Sequence, residues 1–223
     1  MGSKIQETLR ESGALSASLD SSFPHRLLQA NQPESVNDKE IRDRYKKQSD
    51  YRDRLMKAGL IDMASPVTLP SNRLQDTDIK VLLHYLDDVD KKLGVFDELL
   101  KKVELFKDII NTRFLYKSFS INKSDGFVFT NANQVRLPSR TLSSGEQHEL
   151  VLAYQLIFEV LPQSLILIDE PELSLHVTWQ HKFLEDLARI SELADLDFLI
   201  ATHSPSIVHK RTDLMVPLKG LDE

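Results

Sequence analysis

No cysteine occurs in the chain, which excludes disulfides, thiolate zinc sites and a cysteine nucleophile. The simplest compartment for such a chain is a reducing one, the cytoplasm. Glycine is scarce as well. The seven glycines, at 2, 13, 59, 94, 126, 145 and 220, form no G-x-x-x-x-G-K-[ST], so the loop that cradles nucleotide phosphates is absent. No apolar run approaches the ~20 residues that a membrane-spanning helix needs. The opening Met1-Gly2-Ser3-Lys4-Ile5-Gln6 is neither a signal peptide nor a good myristoylation site, because position 6 is glutamine. A net charge of −6 argues against a protein that coats nucleic acid with its whole surface. Internal repeats and long low-complexity tracts are also lacking. What remains is ordinary globular composition over 223 residues, enough for one large domain or two small ones.

The first half carries no chemistry-bearing pattern. Residues 1–37 are polar and irregular, and Ser22-Phe23-Pro24 before HRLLQA reads as a helix start with proline in the first turn. From Asp38 to about Gly59 the pattern is helical and charged, with Arg42, Arg44, Lys46, Lys47, Arg52 and Arg54 among aspartates. It fits either a nucleic-acid contact stacking on Tyr45 and Tyr51 or a solvated helix of mixed-sign pairs, and mixed sign favours the second. After Pro66 and Pro70, apolar residues at three/four spacing (Ile79 to Leu93, then Phe96 to Ile110) predict an antiparallel helical hairpin, with Gly94 capping its first helix.

In the second half the period changes. FLYKSFSI and GFVFTNANQVRLPSR read as short strands around the turn at Asn122–Gly126. Thr141-Leu142-Ser143-Ser144-Gly145-Glu146-Gln147 stands at the entrance of an apolar helix, where a serine can cap exposed N–H groups and an anion can bind. The stretch around which the chain is organised is Ser164–His176, SLILIDEPELSLH. Its unbroken run Leu165–Ile168 reads as a strand buried on both faces, stopped by Pro171 just after Asp169 and Glu170. Two acids thus stand at the carboxyl end of a strand, where open α/β sheets bind ligands. A helix from about Val177 to Glu192 and a second strand ending in Thr202-His203-Ser204 complete a βαβ unit, so both strand ends face one side.

At this point four pieces line up in order across Leu142–Ser204. LSSGE resembles the signature sequence of ABC-type ATPases, LILIDEP their Walker B strand, ELSLH their D-loop and ATHS their switch histidine. The wording DEPELSLH and ATHSP is closest to the RecF/SMC-like and OLD-like soluble ATPases, and is similar to the AAA/ABC-type ATPases of Septu and retron phage defence. The resemblance covers residues 119–218. It implies an α/β fold: the C-terminal lobe of a P-loop ATPase over 116–223, with parallel strands and flanking helices, preceded by a helical insertion over 1–115. It implies ATP and Mg2+ as cofactors. Asp169 would hold the ion and Glu170 would orient or polarise the attacking water. His203 would stabilise charge near the γ-phosphate. Ser143, Ser144, Gly145 and Glu146 would meet a nucleotide held mainly by another subunit. Leu173, Ser174, Leu175 and His176 would lie near a dimer seam.

The chain departs from that pattern at Ser144, where glycine is common, and at Glu146, where glutamine is common. His176 stands where transporters carry aspartate, and Val177 where soluble relatives often carry proline. The missing phosphate loop is the severe departure. The expectation is therefore the C-terminal part of a longer ATPase, idle by itself and completed by an N-terminal Walker A lobe or a second ATPase subunit. Homodimerisation, DNA and an effector nuclease are the further partners the resemblance implies, with no membrane. Two other readings stand beside it. One is a non-catalytic interaction or dimerisation module; the other makes Asp169, Glu170 and Glu172 the metal ligands of a nuclease.

Overall fold

The computed structural model describes residues 2–29, 36–62, 68–122, 125–173 and 175–216. The chain divides into two units, Met1–Lys101 with Ser120–Phe127, and Lys102–Phe119 with Val128–Glu223.

The first unit is helical, with α1 (Gly2–Gln29), α2 (Asp38–Lys57) and α3 (Asp76–Gly94). Its core gathers Ile41, Leu74, Ile79 and Leu86, with Tyr45, Leu82 and Leu83 packed against them. The expected helix start at Ser22 is corrected: α1 runs through it, with Pro24 inside. Proline there removes one backbone donor, and side chains on either side of it add bonds to the preceding turn. Ser22 Oγ donates to the Ser18 carbonyl at 3.0 Å, and the Arg26 guanidinium to that of Leu19 at 3.0 Å. Gly94 is also corrected. It is the last helical residue, and the cap is Val95 in an ordinary right-handed conformation. The seam of α3 packs against α1 and α2, and the division between units falls inside α4 (Asp97–Arg113).

The charged helix α2 behaves as a solvated face. Its start is an Asn37–Glu40 capping box. Arg44 pairs with Asp87 at 2.6 Å and Asp90 at 2.5 Å, Arg42 bonds the carbonyls of Pro70 and Asn72, and the Tyr51 hydroxyl bonds Asp97. These groups serve the helical unit itself.

The second unit holds the motifs. A three-stranded sheet in the order β1 (Lys117–Asn122), β2 (Gly126–Asn131), β3 (Arg136–Leu137) is antiparallel between β2 and β3; Ser120–Phe127 groups with the first unit. Then follow α5 (Ser144–Tyr154), β4 (Ser164–Asp169), α6 (Val177–Ala194), β5 (Leu196–Ala201) and the short α7 (Pro205–Val208). An aromatic core ties the layers together. Phe106 meets Phe119 and Phe158 edge-on at 5.4 and 5.6 Å, and Phe114 lies between Phe129 and Trp179 at 6.1 Å from each.

β4 and β5 pair in parallel, from Ser164 opposite Leu196 to Asp169 opposite Ala201, as the crossover predicts. The strand expected to be buried on both faces is not. Burial alternates along it, and Leu165, Leu167 and Leu199 are 61, 69 and 63% exposed on one face. Ile166, Ile168, Phe198 and Ile200, on the other face, are half-buried. An apolar run records what a strand can bury, whereas the described residues pack α6 against β5 and leave the leucine face exposed.

Candidate functional site

The parallel ladder continues one residue beyond β4, because the Glu170 N–H donates to the Ala201 carbonyl at 2.8 Å. There the chain turns sharply. Glu170 has φ 43, a left-handed backbone that is costly for a residue with a Cβ, and the following Pro171 disfavours helical conformations before it. Strain of that kind persists only where the surroundings enforce it, and here Pro171 is buried while Glu170 is pinned to β5. The turn aims the Glu170 carboxylate toward the end of β5. Its Oε1 lies 3.8 Å from Nε2 of His203, whose side chain is 92% exposed.

Asp169 ends β4 on the exposed face, and its carboxylate has no hydrogen-bond partner among the described residues. A divalent cation fits this residue as a single hard carboxylate ligand. Among the described residues no group of three or more His, Cys, Asp or Glu side chains could hold an ion, so phosphate oxygens and water would supply the remaining ligands.

Glu172 has a different environment. Its carboxylate accepts from Thr202 Oγ1 at 2.7 Å and from the His203 N–H at 3.0 Å. Burial pushes this carboxyl's pKa up, but those hydrogen bonds outweigh it and hold the group below its ordinary range. With each oxygen engaged by the His203 loop, Glu172 is not presented with Asp169 and Glu170 as a metal triad. Gln180, on α6, lies outside the motifs. It donates to the carbonyls of Glu172 and Leu175 at 3.3 and 3.2 Å and meets Ser204 Oγ at 3.2 Å. Its one signal in the sequence is a glutamine at three/four spacing with Phe183, Leu184 and Leu187.

Of the D-loop residues, Leu173 is exposed and Leu175 buried, and Ser174 lies outside the described residues. His176 caps α6, its Nδ1 facing the Thr178 N–H at 3.4 Å and hydroxyl at 2.8 Å, with its ring against Trp179. A histidine in place of aspartate thus still performs the capping.

The signature stretch opens α5. Ser143 Oγ accepts the Glu146 N–H at 3.2 Å, and the Glu146 carboxylate accepts the Ser143 N–H at 2.7 Å. Glu146 is buried, and Lys117 reaches both its oxygens at 2.8 and 2.6 Å. Burial raises its pKa, the Lys117 and Ser143 contacts lower it further, and the carboxyl stays ionised below its usual range. Ser143 and Ser144 are exposed and Gly145 half-buried. The surface offered by this stretch is thus the two serines and the glycine, while Glu146 is committed to the fold. Among the described residues no hydrogen bond or ion pair joins the stretch to Asp169, Glu170 or His203, so the structure brings together the latter group only.

The model of a family described as "AAA domain, putative AbiEii toxin, Type IV TA system" matches residues 4–209. No curated protein matches the chain. Among the described residues, no helix is long and apolar enough to cross a membrane.

Proposed function

The chain belongs to the family of AAA domains described as putative AbiEii toxins, and from that premise we propose that it is the C-terminal lobe of an ABC-type ATPase acting in a nucleotide-sandwich dimer. The observation that carries this reading is the meeting of Asp169, Glu170 and His203 at the shared end of two parallel strands, with Glu170 and His203 3.8 Å apart. Asp169 binds Mg2+ carried by the nucleotide. Glu170 orients the attacking water, and an exposed His203 faces the charge that develops on the γ-phosphate. Ser143, Ser144 and Gly145 offer hydroxyls and a helix N-terminus to a nucleotide held by another subunit. Glu146 acts behind them by fixing the helix start.

Two features support a missing partner lobe. The sequence has no phosphate loop, and the leucine face of β4 and β5 is uncovered. Both are met by a Walker A lobe that packs an apolar surface on that face. The resemblance of the motifs implies DNA repair, or phage defence with an effector nuclease, as the setting.

Alone, the chain binds ATP weakly and does not turn it over. A steady-state hydrolysis assay checks this, and turnover that disappears in Glu170→Gln would overturn it. Titration against a Walker A-bearing lobe then separates the readings. Association that requires ATP supports the ATPase; association indifferent to nucleotide supports a non-catalytic docking module, which the leucine face also suits.

A further inference from the structure

His203 projects into solvent, so nothing packed around its ring determines where the ring stands. Its place must be set from the backbone. The His203 N–H donates to Glu172, two residues beyond Glu170, and the same carboxylate takes the Thr202 hydroxyl. From there the bonds close into a ring. Thr202 Oγ1 accepts the Ser204 N–H at 3.0 Å, Ser204 Oγ meets Gln180 Oε1 at 3.2 Å, and Gln180 Nε2 returns to the Glu172 carbonyl at 3.3 Å. The turn after β4 and the loop after β5 are thereby fastened to each other and to α6.

We propose that Glu172 is a positioning residue, whose carboxylate clamps the Thr202–Ser204 loop and so holds the His203 ring beside Glu170. This deepens the reading above, on which Glu170 and His203 serve one reaction. A carboxylate suits the clamp. Two donors, a hydroxyl and an amide N–H, each take one of its oxygens, and an ionised carboxylate offers two acceptors with no donor of its own. A lost acceptor would leave these donors to water and leave the loop tied to that turn only through Gln180, which bonds Ser204 and the Glu172 carbonyl but neither Thr202 nor His203. Thr202 is the second half of the clamp, because its hydroxyl donates to Glu172 while accepting from Ser204.

The test uses this chain without nucleotide, by NMR at neutral pH. In Glu172→Ala, exchange of the His203 amide with solvent rises by about tenfold or more, as expected for a loop whose protecting bond is gone. The discriminating readout is the His203 ring Cε1–H resonance. In the native background Glu170→Gln displaces it; in the Glu172→Ala background the same substitution leaves it unmoved, because the ring no longer stands beside residue 170. A residue that merely stabilised the fold would not remove that coupling. Should Glu172→Ala fail to fold, Thr202→Val loosens the clamp and Thr202→Ser restores it, with the same two readouts. An unchanged amide exchange and an undiminished ring response in a folded clamp variant would overturn the proposal. Since no nucleotide is present, failure of the ATPase reading leaves this result standing. Conversely, failure of the clamp leaves Glu170 and His203 as candidates.

Discussion

Apart from Glu146, the buried charges described in the second unit are three residues from three helices. Arg113 of α4 is 3% exposed, Glu149 of α5 is 6%, and Asp186 of α6 ion-pairs with Arg113. Glu149 Oε2 is buried without a hydrogen-bond partner among the described residues, and it lines a small cavity with Asp186, Leu152 and Phe183. Burial pushes the Glu149 pKa up, and the nearby Arg113 only partly offsets it. Folded Glu149 therefore holds a proton more readily than the unfolded chain does. Its contribution is most favourable where both states are protonated, and stability is lost as pH rises from the ordinary carboxylate range through the raised folded pKa. Glu149→Gln should remove that slope. Denaturant melts should find the variant level with the native chain in acid and more stable at neutral pH by ~1 kcal/mol, the scale of one unsatisfied buried group. Glu170 is one of several non-glycine residues with a left-handed backbone, and its φ of 43 stands at the candidate chemistry itself.

Among the elements, the end of α2 depends on one glycine. Gly59 follows the helix with φ 75, and a Cβ there would stand 2.0 Å from the Ile121 carbonyl oxygen. Backbone cannot give way as a side chain can. Gly59→Ala adds the left-handed penalty to that clash and should cost ~2 kcal/mol or more in a thermal melt. Much at this scale was legible in advance. The βαβ unit β4–α6–β5 could be read because strand, crossover and strand follow one another along the chain, and a crossover helix that returns the chain to the same end makes the pairing parallel. The helix caps could be read less well. Pro24 looks like a helix start, but Ser22 and Arg26 bond the preceding carbonyls and α1 continues past it. Gly94 looks like a left-handed cap, but α3 finishes in Val95 without needing one. In both cases a local preference, about 1 kcal/mol for glycine and about 3 kcal/mol for proline inside a helix, was outweighed by surrounding structure.

For the molecule as a whole, the uncovered face of β4 and β5 matters most. Leu167 is 69% exposed, so Leu167→Glu removes almost no buried area and should leave the melting temperature of this chain within about a degree or two. Calorimetric titration with a Walker A-bearing lobe should show the same substitution weakening association at least about tenfold, since a charge would be buried against an apolar partner. Undiminished binding would mean that the partner docks elsewhere.

The order of the site motifs, the parallel strand pair and the position of Asp169, Glu170 and His203 at its end follow from the sequence alone. They depend on neighbours in the chain, on strand direction and on the proline that stops β4. Three features were decided only by tertiary structure. Glu146 pairs with Lys117 across 29 residues, Glu172 bonds Thr202 across 30, and the leucine face is uncovered because the described residues pack no helix on it. Each depends on which distant group arrives, or fails to arrive, beside a residue whose local sequence is compatible with either outcome.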